Sequence, residues 1–565
     1  MSNYVLAGPR VRQKAAADEW VQRGILALTA IGLLVGVALP LWSLLSKSLE
    51  DRDGNFVGLR NFVAYVDSPA LSSSITNSLF ITIVSTVICV TLAFFYAYAL
   101  TRTCVPGRGL FRMIAQVPIL APSLLPAISL VYLFGNKGVL TSLLMGETIY
   151  GPIGIIIGEV FWTFPHALII MVTALSTADA RLYEAAEALG AGPLRRFLTV
   201  TLPGARYGII SAIFVVFTLV MTDFGVPKVI GGQYNVMATD VYKQVVGQQK
   251  FEMGAVVGLV LLLPAVLAFV VDRIVQRRQA AQLSARAVPL APRPNRPVDL
   301  AYFAFCVIVS ALVLGLLGMA AFASLAKLWP YDLSLSLRNY DFDMMDGGGW
   351  ESYGNSLRMA CLTALFGTII VFAGAWACEK TRGWGALRTT VHLLALLPLA
   401  VPGIVLGLGY IFFFNAPGNP LGGLYGTLAI LVMCTISHFY SVSHLTAVTA
   451  LKQIDGEFEA VSASLKVPVW LTFLRVTVPV SLPAILEVGA YFFVNAMTTV
   501  SAVVFLYSPD TTLASVAVLN MDDAGDVAPA AAMAMMIFVT TAAVRTVYGL
   551  AAGILLERTQ RWRRR

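Results

Sequence analysis

Blocks of about 20 uncharged, apolar residues recur a dozen times along this chain, and nothing else limits its fold so strongly. Each block is long enough to cross roughly 30 Å of hydrocarbon as a helix. Of the 565 residues, 58% are hydrophobic and 12% charged, about half the charged share of an ordinary soluble domain. A transmembrane β-barrel would instead need alternating segments of about ten residues, and the sequence lacks them. The expected fold is therefore all-α and polytopic, with twelve transmembrane helices. The first half places them at about 25–46, 77–101, 110–135, 152–175, 207–227 and 253–272, and the second at about 299–326, 355–378, 389–414, 423–450, 483–507 and 528–555.

Lys and Arg set the orientation of such a bundle, because basic loops stay on the cytoplasmic side. With the N-terminus inside, the external loops hold nine basic residues: Lys47, Arg52, Arg60, Lys137, Lys228, Lys243, Lys250, Lys327 and Arg338. They hold sixteen acidic ones, including Asp341, Asp343, Asp346, Asp510, Asp522, Asp523 and Asp526. The inner side then collects Arg10, Arg12, Lys14, Arg102, Arg108, Arg112, Arg195, Arg196, Arg277, Arg278, Lys380, Arg382, Arg388, Arg558, Arg561, Arg563, Arg564 and Arg565. This reading makes the chain a multi-pass membrane protein, embedded in lipid, with both termini cytoplasmic. Topology explains the net charge of +8. The Arg clusters flank spans and form no single basic face, so nucleic acid is not an expected partner. The first apolar run is longer than the core of a typical signal peptide and is expected to stay as an anchor. The six cysteines fall in spans or at their inner edges, which leaves no external disulfide framework. No Cys or His run has the spacing of a zinc site, so no metal is expected.

The chain repeats itself. Asn77-Ser78-Leu79 recurs as Asn355-Ser356-Leu357, and Pro118-x3-Pro122 recurs as Pro398-x3-Pro402. Landmarks in the same order at nearly constant separation argue for duplication and fusion. Six spans per half make the halves parallel repeats. The expected division is a first half over 1–272, a linker over 273–298 and a second half over 299–565. The linker is rich in Arg, Ala and Pro and is expected to be extended and cytoplasmic.

A third landmark lies between spans 4 and 5. Ser176 to Asp179 offer caps, the Ala-rich stretch to Leu189 favours helix, and Gly190 and Gly192 allow a turn. Pro193 starts a second helix, with Phe197 and Val200 on one face, and Pro203 is expected to stop it. The result is a helix–turn–helix knob over 179–203. A degraded copy covers 455–479, at nearly the offset of the other two landmarks. There Lys466 stands where Gly190 stands, Ala460 aligns with Glu184 and follows Glu459, Pro468 is expected to make the turn, and Pro479 matches Pro203.

Glu184-Ala185-Ala186 with Gly190 and Pro203 resembles the coupling loop of ABC-type importer permeases. That resemblance implies a type I importer permease fold. It also implies that Glu184, Ala185, Ala186, Gly190, Pro203, Glu459, Ala460, Lys466 and Pro479 contact two copies of an ATPase subunit. A periplasmic substrate-binding protein would deliver cargo. The sequence has no Gly-x4-Gly-Lys-Ser/Thr loop, so ATP and Mg are expected on the partner subunits, no cofactor on this chain, and no enzymatic activity of its own. The fused two-half layout is similar to permeases of the ferric-iron and 2-aminoethylphosphonate group. The stretch Gly231 to Tyr242, continuing to Phe251–Gly254, and the stretch Glu457 to Lys466, look like the 2-aminoethylphosphonate branch. This makes a 2-aminoethylphosphonate importer the first expectation and a ferric one the alternative. An ion-coupled secondary transporter would not need two knobs, and a membrane enzyme should show converging His or Asp sets that four scattered histidines do not supply.

Ionisable groups inside spans are candidates for the path by default. Glu159 shares a helical face with Trp162 and His166. Thr218, Thr222 and Asp223 make span 5 polar, and Asn495, Thr498, Thr499 and Ser501 do the same for span 11. These residues either line a conduit or hydrogen-bond between helices. Arg358 either snorkels outward or meets an anionic cargo, and Arg545 is expected to snorkel. His438 and His444 read as structural. The paired prolines of spans 3 and 9 are expected to kink them.

Overall fold

The computed structural model describes residues 17–280, 288, 290–381 and 383–559. Arg10, Arg12, Lys14, Arg382, Arg561, Arg563, Arg564, Arg565 and the linker positions 281–287 and 289 lie outside the described residues, as do the side chains of Arg277, Arg278 and Arg558. The protein is a helical membrane bundle with, among the described residues, one two-stranded hairpin, Ala326–Leu328 and Asp332–Leu335. Among the described residues, eight helices are long and apolar enough to span: Trp20–Ser48, Pro69–Arg102, Pro152–Ser176, Pro193–Thr222, Phe251–Val275, Arg296–Leu325, Gly349–Lys380 and Val527–Leu555. Four bent pairs complete a set of up to twelve: Arg108–Leu120 with Leu124–Phe134, Gly385–Ala400 with Gly403–Phe414, Leu428–His438 with Tyr440–Lys452, and Val469–Val480 with Leu482–Thr498. Counted in chain order, these are spans 1 to 12.

Spans 3 and 9 are broken, by 102° and 116°, which is more than a kink. Pro165 and Pro264 sit inside unbroken helices, so a lone proline is not enough. What differs is a short 3₁₀ turn followed by a second X-Pro step. Proline disfavours the helical region for the residue before it, and Ala121 (φ −97°, ψ 142°) and Val401 (φ −99°, ψ 118°), before Pro122 and Pro402, are both extended. Span 10 is bent by 56° at Phe439, whereas its counterpart, span 4, runs unbroken.

The two halves are interleaved. Span 1 lies on the second half: the Tyr410 hydroxyl of span 9 donates to the Gly36 carbonyl at 2.8 Å, and Gly409 allows the backbone of Pro40 to approach within contact of its Cα hydrogens. Span 7 lies on the first half, where Ser310 meets the Tyr96 hydroxyl at 3.1 Å and the Trp329 indole donates to the Lys137 carbonyl at 3.1 Å. The boundary at 273–298 therefore divides the sequence but not the packing. The linker is also shorter than expected. Helix continues from span 6 through Ala280, and the helix of span 7 begins at Arg296.

The repeated Asn-Ser pair has a definite use. Asn77 donates to the Asn235 carbonyl at 2.9 Å, and Ser78 accepts the Met237 amide at 2.8 Å. In the second half Asn355 donates to the carbonyls of Asp510 and Thr512 at 3.0 and 3.3 Å, and Ser356 accepts the Ala514 amide at 2.8 Å. Met237 and Ala514 begin short helices whose first amides lack intrahelical partners. Each Asn-Ser pair thus latches span 2 or 8 to the helix that follows span 5 or 11, satisfying backbone groups that burial would otherwise leave unmatched.

Candidate functional site: two knobs and a broken-helix junction

The first knob is helix Ala180–Ala188, capped by Asp179, whose carboxylate accepts the Arg181 amide at 3.1 Å. The exposed Asp179 carboxyl is held down at about 2, chiefly by the Arg181 side chain and also by the amides of Arg181 and Val288. Gly190 adopts φ +73°. The Gly190 amide donates to the Glu187 carbonyl and the Ala191 amide to the Ala186 carbonyl, both at 2.9 Å, the paired bonds of a Schellman turn. The second knob makes the same turn at Lys466 (φ +53°). There the Lys466 amide donates to Ala463 at 3.1 Å and the Val467 amide to Ser462 at 2.9 Å. Lys466 itself supplies the left-handed residue. Pro468, expected to turn the chain, instead precedes helix Val469–Thr472 as its cap.

Pro203 does not stop the second knob helix. Pro193–Thr222 is one continuous helix of 30 residues. A π-turn over Phe197–Thr201 precedes Pro203, and such a turn relaxes the helical ladder where proline lacks a donor. The matching π-turn is Phe473–Thr477, and beyond it the second copy bends by 75° near Ser481. The aromatic residue that opens each π-turn wedges against the adjoining span. Phe197 packs on Phe94 and Tyr98, with ring centroids at 5.9 and 6.1 Å. Phe473 packs on Phe372 and Trp376 at 5.9 and 4.4 Å.

A cation fastens each knob from the end of span 2 or 8. Arg102 lies over the Tyr183 ring at 5.1 Å, and at the aligned positions Lys380 pairs with Glu459 at 2.7 Å. Glu459 is therefore engaged within the chain, whereas Glu184, Ala185 and Ala460 are exposed and Ala186 is half-buried. Exposed apolar side chains crown both knobs: Leu182, Leu189 and Leu194 on the first, and Phe458, Val461, Leu465 and Trp470 on the second. A groove of about 620 Å³ lies between Phe458, Leu465 and Arg475 on the second. Of the two knobs, the described linker residues touch the first, where Val288 pairs with Ala180 and Arg293 with Glu187 at 3.3 Å, and they also reach the end of span 2, where the Cys104 thiol meets the Pro292 carbonyl at 3.6 Å.

Away from the knobs, the break of span 3 meets the end of span 5. Span 5 ends at Thr222, and Asp223 turns extended. Its carboxylate accepts the Val226 amide at 2.8 Å and faces Ser123, in the break of span 3. Ser123 lies so close to Gly225 that no side chain fits there. Glu159 of span 4 is fully buried, its oxygens lack a well-formed hydrogen bond, and it faces Asp223. In the second half the break of span 9 meets the end of span 11 in the same way. Thr499 turns extended like Asp223, and Ser501 and His438 crowd Gly403. Thr222 and Thr498 bond carbonyls four residues back at 2.8 and 3.0 Å, and Asn495 bonds Tyr491 at 2.7 Å. Their side chains thus serve the ends of their own helices. Arg358 is not part of this group: it is exposed beside Asn355, with 3.4 Å between them. Arg545 does not snorkel alone but pairs with Glu487 through two bonds of 2.8 and 3.0 Å. Between the halves, Lys228 pairs with Asp523 at 2.8 Å, and the Tyr242 ring stacks on Phe505 at 6.1 Å.

Residues 90–281, which include the first knob and the first junction's half of span 5, match the family described as binding-protein-dependent transport system inner membrane component. The fold, the knobs and this match define a permease component of a binding-protein-dependent ABC importer, a multi-pass protein of the inner membrane. A ferric transport system permease protein of Actinobacillus pleuropneumoniae is 29% identical over 497 residues, covering 84% of this chain and 70% of that one. A protein of Salmonella choleraesuis (strain SC-B67) named for 2-aminoethylphosphonate transport is 26% identical over 254 residues, covering 44% and 88%. A solved bacterial alginate ABC transporter, in complex with an alginate pentasaccharide-bound periplasmic protein, aligns with 48% of this chain and 97% of its own at 18% identity, with a TM-score of 0.39.

Proposed function

We propose that this chain is the whole membrane channel of an ATP-driven importer, with ferric iron as its cargo. Two ATPase subunits dock on the knobs, which face the cytoplasm together with both termini, and ATP and Mg are bound there. A periplasmic binding protein delivers cargo to the opposite face. The observation that carries the reading is the knob built twice: the same Schellman turn, π-turn and aromatic wedge recur in both halves of the chain. Exposed leucines and aromatics on each knob suit a partner groove, since isolated apolar crowns of this kind mark contact surfaces.

Two observations favour iron over 2-aminoethylphosphonate. The ferric-named relative aligns across both halves, whereas the phosphonate-named one aligns with 44% of the chain. The first junction also presents carboxylates, Glu159 and Asp223, and oxygen donors suit a hard cation. The stretch Gly231 to Tyr242, which suggests the phosphonate branch, holds the Asn77–Asn235 and Ser78–Met237 latch, so its pattern supports a fold as readily as a cargo. The phosphonate reading keeps one specific support, an ammonium group that Asp223 would suit. The deciding experiment expresses the complete importer in a strain lacking other uptake systems for both solutes. Uptake of radiolabelled ferric iron, lost with Gly190→Pro, is the expected result. Uptake of radiolabelled 2-aminoethylphosphonate alone would reverse the assignment, and uptake unaffected by Gly190→Pro would overturn the coupling role.

A further inference from the structure

We propose that Cys378, His392 and His444 form a binding site for a thiophilic transition-metal ion such as Zn(II). The three residues lie on three different spans: Cys378 near the knob end of span 8, His392 in the first arm of span 9 and His444 in the second arm of span 10. One donor atom from each lies within 4.8 Å of the others. His392 Nδ1 and His444 Nε2 are 3.3 Å apart. Two nitrogens at about 2.0 Å from one tetrahedral ion are separated by about this distance. A thiol with two imidazoles selects soft and borderline ions over hard, oxygen-seeking ones, which sets the site apart from the cargo proposed above.

The surroundings are built to hold this geometry. Arg388 bonds the carbonyls of Cys378, Glu379 and Thr381 at 2.6, 3.2 and 3.1 Å, fixing the turn between spans 8 and 9. The Tyr440 ring stacks on His444 at 5.8 Å. His444 is fully buried and turns Nε2 toward His392, while its Nδ1, on the side of the ring away from that contact, has no hydrogen-bond partner among the described residues. Metal sites need such support around their ligands. The first half carries Leu100, Arg112 and Leu168 at the repeat-related positions. The donors therefore serve none of the latches, wedges or turns that the halves share. Three helices joined by one ion would brace the root of the second knob, because span 10 leads directly into helix Glu457–Ser464.

The test uses the purified full-length chain in detergent, stripped with chelator and titrated with Co(II) and then Zn(II). The expected result is one equivalent of Co(II) with a thiolate-to-metal charge-transfer band, displaced by Zn(II), and a melting temperature raised by Zn(II). Cys378→Ser should abolish the band, and His392→Gln, at a half-buried position, should weaken binding at least about tenfold. Cys361→Ser, at an exposed cysteine, should change nothing. A parent chain that binds less than stoichiometric Co(II) without a thiolate band, or shows no Zn(II) shift in melting, would overturn the proposal without reference to any variant. Binding lost with Cys361 and kept without Cys378 would overturn it as well.

Discussion

The two knobs make the same left-handed turn with different residues, which allows a test within one molecule. Gly190 has φ +73° and Lys466 has φ +53°. A Cβ added at Gly190 would meet nothing within 4 Å, so Gly190→Ala should carry only a backbone cost. A non-glycine residue in the left-handed region loses roughly 1–2 kcal/mol. The more restricted unfolded chain returns about 0.4–1 kcal/mol, leaving a net loss of about 0.5–1 kcal/mol. Lys466→Gly should gain a similar amount. At RT of about 0.6 kcal/mol, this is a two- to fivefold change in the local opening equilibrium, to within order of magnitude. The assay is hydrogen exchange of the Ala191 and Val467 amides, which close the two Schellman turns at 2.9 Å each, with the membrane-embedded amides of span 2 as control. Gly190→Ala should speed exchange at Ala191, and Lys466→Gly should slow it at Val467. If Lys466→Gly sped exchange, or both changes moved in the same direction, the turn would not be the element that sets knob stability.

Phe473→Ala should lower the melting free energy by about 2 kcal/mol, a part of the core value because the ring is half-buried, while the exposed neighbour change Leu474→Ala should have little effect; equal losses in thermal denaturation would refute the wedge. Asn355→Ala strands two carbonyls and Asn77→Ala strands one, so the first should cost more, each group being worth about 1–3 kcal/mol, and the reverse order in melting would refute the latch. Asp522, outside the spans, has its carboxyl raised to about 6 by burial and then by neighbouring Asp523, against the pull of Lys228. A raised carboxyl stabilises the fold when protonated, so stability should fall as pH rises through about 6, by roughly 2–3 kcal/mol from the shift above 3.8. Asp522→Asn should flatten that profile between about pH 4 and 7, and a melting curve with unchanged pH dependence would refute the assignment.

Much of this fold can be read from the sequence because its repeats are spaced like its parts. The apolar blocks match eight helices and four bent pairs among the described residues, and most of their limits. The helices of spans 2, 5 and 11, however, begin at Pro69, Pro193 and Val469, well before the apolar blocks do, because polar and proline-bearing turns continue the helix beyond the hydrocarbon. The repeat offsets mark Asn77-Ser78 and the proline pairs as matched elements from the sequence alone. What stayed hidden depends on side chains meeting across long separations. The exchange of spans 1 and 7 between halves leaves no trace in hydropathy, since a helix is equally apolar whichever half it covers. Lys466 was hard to place because a left-handed lysine is uncommon, so Pro468 looked the better turn-former. Continuity through Pro203 was also hidden, because a π-turn has no compositional mark. The Cys378, His392 and His444 cluster could not be found by spacing, because its members lie far apart in the chain, on three helices.

Within the first half, the parts form one mechanical line. The Ala180–Ala188 helix is tied by its Schellman turn to a single helix, Pro193–Thr222, whose far end is Asp223 in the junction with Glu159 and Ser123. A helix rises about 1.5 Å per residue, so these 30 residues place the junction roughly 45 Å from the start of that helix with no loop between them to absorb movement. The Phe197 wedge adds a second contact, to span 2, whose other end holds the Asn77-Ser78 latch. A tilt applied at this knob must therefore move both the junction and the latch. The second half has the same wedge and latch, but span 11 bends by 75° between knob and junction. A flexed rod transmits less of a tilt than a straight one. The two knobs are thus alike where a partner would grip and unlike in how far their motion reaches, and the junction that carries acidic side chains, Glu159 and Asp223, is at the end of the unbroken rod.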